Sequence, residues 1–156
     1  MIKYINGDLF KGIENSKEKI LIPHIVNNIG AWGSGFVIPL GRKFPEAKQD
    51  YLNLLEYTDL GECIFTHVNN VVIANMVAQN GISSKSTGDR NFVSPNPIRY
   101  GALLKCMEEI AIEYPAHVIH APKFGSLRAC GNWALIEELI KEIWCNHTVN
   151  IYVFKE

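Results

Sequence analysis

An α/β domain on a mostly buried sheet is the fold class that this 156-residue sequence predicts. Three observations predict it. Runs rich in Ile and Val recur along the chain, they alternate with stretches of helical periodicity, and glycine-bearing turns lead from strand-like into helix-like segments. With 47% hydrophobic and 20% charged residues, the length fits one sizeable core and a single domain over residues 1–156.

The first strand is predicted over Ile2 to Ile5 and the second over Ile20 to Val26. Pro23 fits the second poorly. It has no N–H for a ladder, so the strand must be irregular there, lie at an edge, or begin later. Pro45 to Tyr57 reads as a helix. Glu62 to Val68 and Val71 to Val77 form a strand pair, with Asn69-Asn70 as the hairpin turn because Asn tolerates positive φ. The stretch Ala78 to Asn96 is rich in Gly, Ser, Asn and Pro and is long for a loop, which leaves open a lid or a structureless crossover.

Asn96-Pro97 then supplies a cap and an N1 proline for a helix whose apolar face is Tyr100, Leu103, Leu104, Met107, Ile110, Ala111 and Tyr114. His117 to Ala121 is the fifth strand. Leu135, Ile136, Leu139, Ile140, Ile143 and Trp144 repeat the helical spacing opposite Glu137, Glu138, Lys141 and Glu142, and Val149 to Phe154 is the last strand.

A net charge of -1 gives no whole-chain field toward a nucleic-acid backbone or an anionic membrane. Apolar runs are far too short to span a bilayer, and no charged leader precedes an apolar signal core at the N-terminus, so a soluble, cytoplasmic protein is expected. Cys63, Cys106, Cys130 and Cys145 form no C-x-x-C pair, which disfavours a zinc ribbon or a thioredoxin-like motif and makes reduced thiols the default. His117 and His120, three apart in a strand, point to opposite faces and are expected to be structural; no metal site is predicted.

The chemistry-bearing stretch runs from His24 through Asn27, Asn28, Gly30, Trp32, Gly33, Ser34 and Gly35 to Phe36. Its glycines permit close approach of a ligand to the backbone, and Pro39 requires any following helix to begin near Gly35 or Phe36. This is neither a Walker A sequence nor a clean G-x-G-x-x-G, which leaves a phosphate cradle and a structural turn as the two readings. A second glycine turn, Pro122-Lys123-Phe124-Gly125-Ser126-Leu127-Arg128-Ala129-Cys130-Gly131-Asn132-Trp133, also follows a strand. Two such turns facing each other at strand ends suit a diphosphate. Asp8 ends the first strand and could accept from an adenine amino group or cap the next turn. Trp32 and Phe36 are candidates to line a cleft, whereas Trp144 is expected in the core.

Taken in order, Gly7-Asp8-Leu9-Phe10, Asn27-Asn28 before Gly33-Ser34-Gly35, Ala74 to Gly81, Pro97-Ile98-Arg99-Tyr100, and Pro122-Lys123-Phe124-Gly125 with Trp133 resemble the macro domains. The likeness covers nearly the whole chain and is greatest to the ADP-ribose 1''-phosphate phosphatase-like branch. It implies a three-layer α/β/α sandwich with a mixed central sheet and a cleft for ADP-ribose. Carried over, Asp8 would hold the adenine amino group with Leu9 beside the base, Asn27 would face the distal ribose, Gly33 to Phe36 would wrap the diphosphate and that ribose, and Gly125, Ser126, Leu127, Arg128 and Ala129 would close over the phosphates. His24 matches a histidine that is a candidate acid, base or nucleophile in phosphatase-like members. Two catalytic groups of other members are missing: a lysine near Met76 or Val77, and an acid in the second turn, where Asn132 is a water-positioning residue or a helix cap.

The resemblance thus implies a monomer that needs no cofactor and hydrolyses a bond at the distal ribose of an ADP-ribose derivative. The alternative is a non-catalytic reader or sponge for an ADP-ribose-derived nucleotide. A hydrolase acting on ADP-ribosylated nucleic acid is a weaker third, since no basic and aromatic stripe stands out.

Overall fold

The computed structural model describes residues 1–83, 95–126 and 129–153. Its elements, in chain order, are β1 (Ile2–Asn6), α1 (Leu9–Gly12), β2 (Ile20–Asn27), α2 (Val37–Lys43), α3 (Pro45–Leu54) with a 3-10 turn at Leu55–Tyr57, β3 (Cys63–Val68), β4 (Val71–Gln79), α4 (Tyr100–Glu113), β5 (Val118–Pro122), α5 (Trp133–Ile143) and β6 (Val149–Val153). The strands form one mixed sheet in the order β1-β6-β5-β2-β4-β3. Neighbours pair in parallel except β3, which pairs antiparallel with β4 at the edge. Asn69, at φ +54, makes the hairpin turn between them.

Because side chains alternate across a strand, the apolar runs of β2 and β4 feed two cores. Leu21, Val72, Ala74 and Met76 meet Leu103, Cys106, Met107 and Ile110 of α4 and Ile136 and Ile140 of α5. On the opposite face Ile20, Ile22, Ile73 and Val77 meet Leu40 of α2 and Ala47 and Tyr51 of α3. Trp144 is 1% exposed and donates its Nε1–H to the Met107 carbonyl at 3.0 Å, satisfying its polar atom inside the core. The result is a three-layer α/β/α sandwich.

Pro23 lies in the middle of a central strand, not at an edge or before its start. Lys19 O accepts from Val118 N on the β5 side, while Ile20 N donates to Asn70 O on the β4 side, so successive residues of β2 address alternate neighbours. Pro23, four residues beyond Lys19, therefore turns its missing donor toward β5. That ladder pairs Ile20 with Val118 and Leu21 with Ile119, whereas the ladder to β4 continues through Pro23–Ala74 and beyond. Proline is tolerated because it stands where β2 and β5 part.

Pro97 is not the first residue of a helix as expected. Asn80 N donates to Pro97 O and Arg99 N to Ala78 O, and Ile98 bridges Gln79, so Pro97 to Arg99 run extended along the end of β4. α4 begins only at Tyr100. In its core face Cys106 replaces Leu104, which is 36% exposed. Of the long Ala78 to Asn96 segment, Ala78 and Gln79 belong to β4 and residues 84–94 lie outside the described residues, so its reading as a lid does too. Among the described residues no helix is long and apolar enough to cross a membrane.

Two substitutions separate core from cap. Trp144→Ala is expected to cost about 3–5 kcal/mol, from lost burial and the cavity left behind. Asn132 accepts from Ala134 N at 2.9 Å and from Leu135 N at 3.4 Å as the N-cap of α5, so Asn132→Ala should cost roughly 1 kcal/mol. Urea denaturation of the two variants checks both figures.

Candidate functional site

At the carboxyl ends of β2 and β5, where the strands separate, two adjoining cavities open. The larger, about 690 Å³, is lined by His24, Ile25, Ser34, Gly35, Phe36, Gly125, Ser126, Ala129 and Tyr152 among others. The smaller, about 380 Å³, includes Asn27, Ala31, Gly33 and Ile82. Ile25, Ser34, Val37 and Gln79 belong to both walls. The two glycine turns thus face a common cleft at the strand ends, the place where open α/β sheets take ligands.

The first turn is organised by Asn27. Its Oδ1 accepts from Ile29 N at 3.1 Å, Ala31 N at 3.0 Å and the Tyr51 hydroxyl at 2.9 Å, and its Nδ2 donates to Ala31 O at 2.8 Å. Tyr51 also donates to the Asn27 carbonyl at 2.6 Å, and burial raises its pKa, so the phenol stays protonated. Asn28 fastens the loop to the chain beyond β4: Nδ2 donates to Asn80 Oδ1 and Oδ1 accepts from Gly81 N. Gly35, at φ +81, turns the chain into α2, whose first turn holds Pro39.

The second turn is tied through backbone to Ile98, which bridges the end of β4, and to itself. Ile98 N donates to Ala129 O at 3.2 Å, and Gly131 N donates to Gly125 O at 2.6 Å. Gly125 sits at φ +81, and a Cβ there would lie 2.8 Å from Ile136 Cδ1 and 3.1 Å from Ile25 Cδ1. Neither the backbone nor the packing leaves room for a side chain.

His24 is 2% exposed on the cavity wall, edge-on to Trp32 and tilted against Phe36. Its Nε2 lies 2.5 Å from Asn75 Oδ1. The Asn75 amide nitrogen already donates to Ile64 O at 3.1 Å and to Ala47 O at 3.5 Å, so its oxygen faces the ring and accepts. Nε2 therefore carries the proton, and Nδ1, buried and without a hydrogen-bond partner, is a bare acceptor. Burial pushes the imidazole pKa down to about 4 against the smaller opposing effect of Asn75, leaving a neutral base at neutral pH.

Asp8 is the N-cap of α1, its Oδ1 accepting from Phe10 N at 3.0 Å, and Leu9 is 3% exposed in the core; the lining of these two cavities includes neither. Trp32 turns inward against His24 and Tyr51 rather than onto the cleft, and Asn28 spends its amide on the loop. Leu127 and Arg128 lie outside the described residues. Gln79, Lys123, Tyr152 and Val153 line the cleft without having been singled out. A place at the end of β5, directly before the second glycine turn, was the signal available for Lys123; Tyr152 carried none. His120 is buried and its Nδ1 lies 2.9 Å from the Tyr152 hydroxyl; among the described residues no cluster fit to hold a metal is found.

No protein-family model matches the sequence. An ADP-ribose 1''-phosphate phosphatase of Candida albicans is 37% identical over 169 aligned residues, covering 98% of this chain and 99% of the relative. The chain belongs to the macro domain family. Its match to that phosphatase spans both glycine turns and His24. A crystal structure of a Bacteroides thetaiotaomicron protein superposes on this macro domain with TM-score 0.82 at 34% identity, covering 97% of this chain and 99% of that one. A Streptomyces coelicolor macrodomain protein gives 0.75 at 26% identity over 99% of this chain and 100% of that one.

A histidine buried neutral makes stability depend on pH. The unfolded imidazole titrates near 6.5 and the folded one near 4, so the unfolded state binds more protons between them. The contribution is full above about pH 6.5 and is lost as pH falls toward 4, a difference of roughly 3 kcal/mol. His24→Gln, which does not titrate, should show a correspondingly flatter stability curve over that window in chemical denaturation.

Proposed function

We propose that this macro domain binds ADP-ribose derivatives and hydrolyses a bond at the distal ribose, with ADP-ribose 1''-phosphate as the leading substrate. The observation that carries the reading is His24, which lines a cleft between two glycine turns and whose buried Nδ1 is a bare acceptor. The full-length identity to a relative named for the phosphatase supports it. A reader without turnover is the second reading, favoured by the lack of any carboxylate among the described residues lining the cleft.

In this proposal Gly33, Ser34, Gly35 and Phe36 wrap the diphosphate and distal ribose, and Gly125, Ser126, Leu127, Arg128 and Ala129 close over the phosphates. Asp8 and Leu9 take the adenine end, Trp32 backs the histidine, and Asn28 holds the loop. Asn27 acts by positioning, since its amide fixes the turn that receives the ribose. His24 takes a proton from water as the water oxygen attacks phosphorus. The bond from phosphorus to the C1'' oxygen breaks, the proton that His24 took passes to that departing oxygen and restores the neutral ring, and ADP-ribose and inorganic phosphate depart. No cofactor or metal takes part. The domain acts as a cytoplasmic monomer on a small nucleotide, with nucleic acid entering only as an ADP-ribosylated substrate.

Calorimetric titration with ADP-ribose, followed by phosphate assay with ADP-ribose 1''-phosphate, tests this. Gly33 has open space where a Cβ would stand, so Gly33→Glu should fill the cleft with bulk and charge and abolish binding, while Asp8→Ala should remove affinity at the adenine end. Retained affinity in both variants refutes the site. His24→Gln should keep binding and lower kcat by roughly 10²–10⁴. In the wild type kcat/KM should fall through about pH 4 on the acid side, and a low-pH limb that is unchanged in His24→Gln would remove His24 from the chemistry. Binding without phosphate release moves the assignment to a reader.

A further inference from the structure

We infer that Lys123 is a cation of this cleft and contacts the adenosine-side phosphate of the ligand's diphosphate. This rests on the ADP-ribose reading above and adds a recognition residue to it. Among the described residues lining either cavity, Lys123 is the one with a formal charge, since His24 is held neutral. It stands at the end of β5, directly before the second glycine turn, and its carbonyl accepts from Ser126 Oγ at 2.9 Å, which fixes the backbone there.

Among the described residues the ammonium has no carboxylate partner. Among the described residues the ion pairs are Lys141 with Glu137 at 3.2 Å and with Glu138 at 3.4 Å. Lys123 Nζ instead lies 5.6 Å from the centroid of the Trp133 ring. That ring is held in place: its Nε1 donates to the Tyr4 hydroxyl at 3.0 Å, Tyr4 donates to Glu137, and its edge meets Phe124 at 5.9 Å. Glu137, the acid joined to this ring through Tyr4, is paired with Lys141, and a fixed aromatic face holds the Lys123 cation beside the turn without quenching it. A lysine in this state is a point charge for phosphate. Its ammonium stands over Trp133, which bonds Tyr4 of β1, and β1 leads into Asp8, the residue set at the adenine end; Lys123 also lines the larger cavity and not the smaller one that holds Asn27, so the adenosine-side phosphate is the one within its reach.

Titrations with ADP-ribose, AMP and adenosine test the assignment, using wild type, Lys123→Gln and Trp133→Leu at two salt concentrations. AMP carries the adenosine-side phosphate and adenosine carries none. Lys123→Gln should weaken ADP-ribose and AMP roughly tenfold, as loss of one charge-assisted hydrogen bond implies, and flatten the salt dependence. Adenosine should bind all variants alike, and Trp133→Leu should give a smaller loss confined to the phosphate-bearing ligands. Wild-type affinity for AMP in Lys123→Gln, or an equal loss for adenosine, overturns the inference while leaving the ADP-ribose reading standing. Failure of the wild type to bind ADP-ribose overturns the reading itself.

Discussion

The parting of β2 from β5 is the constraint on which the site depends. Two parallel central strands would ordinarily stay joined along their length, sealing the sheet where the cleft now opens. Here the ladder pairs Ile20 and Leu21 with β5, and Pro23 removes the next donor on that side. Hydrogen bonding to β4 is untouched, because the alternate residues of β2 serve that neighbour. One residue thus releases one ladder while keeping the other. Ile25, just beyond, reaches both cavities, and Gly125 approaches it so closely that a side chain would collide.

That opening is held apart by polar bonds rather than by a wedge. Asn27 and Tyr51 brace the first turn against α3, while Ile98 braces the second against the end of β4. The register shift between Val26 and Asn27 is part of the same arrangement, since it leaves Ala78 to bond Arg99 and brings Gln79 opposite Ile98. Both turns therefore hang from β4, the strand whose nine residues are all buried. A cleft suspended from the most deeply packed strand keeps its geometry without a ligand to organise it.

Much of this was legible in the sequence because it is periodic or local. The Ile and Val runs, the Asn69 turn, the Asn132 cap and the Trp144 anchor are short-range signals, and the structure places each where its residues predict. What was hidden is what depends on pairing between distant segments. Pro97 has the sequence of a helix start, but backbone bonds to Asn80 and across to Ala78 win over that local preference. Pro23 read as an anomaly because one sequence does not state which neighbour a strand residue addresses. The inward turn of Trp32 and the service of Asn27 to its own loop likewise follow from Tyr51, 24 residues away from Asn27.

The electrostatics of the site balance two demands. Holding a diphosphate calls for positive charge, yet a base must be unprotonated to accept a proton. Burial meets the second demand: it empties His24 Nδ1 while Asn75, its own amide committed to Ile64 and Ala47, fixes the tautomer. In the proposed site the glycine turns meet much of the first with backbone donors, which do not titrate. A cationic side chain beside the imidazole would depress its pKa further and weaken it as a base, so the charge belongs away from the ring. Lys123, in the second turn, holds its ammonium over the Trp133 ring. A phosphate arriving near His24 has the opposite effect, since a neighbouring anion favours the imidazolium. The substrate of the proposed reaction therefore strengthens the base that acts on it, and the free protein keeps that base neutral until it arrives.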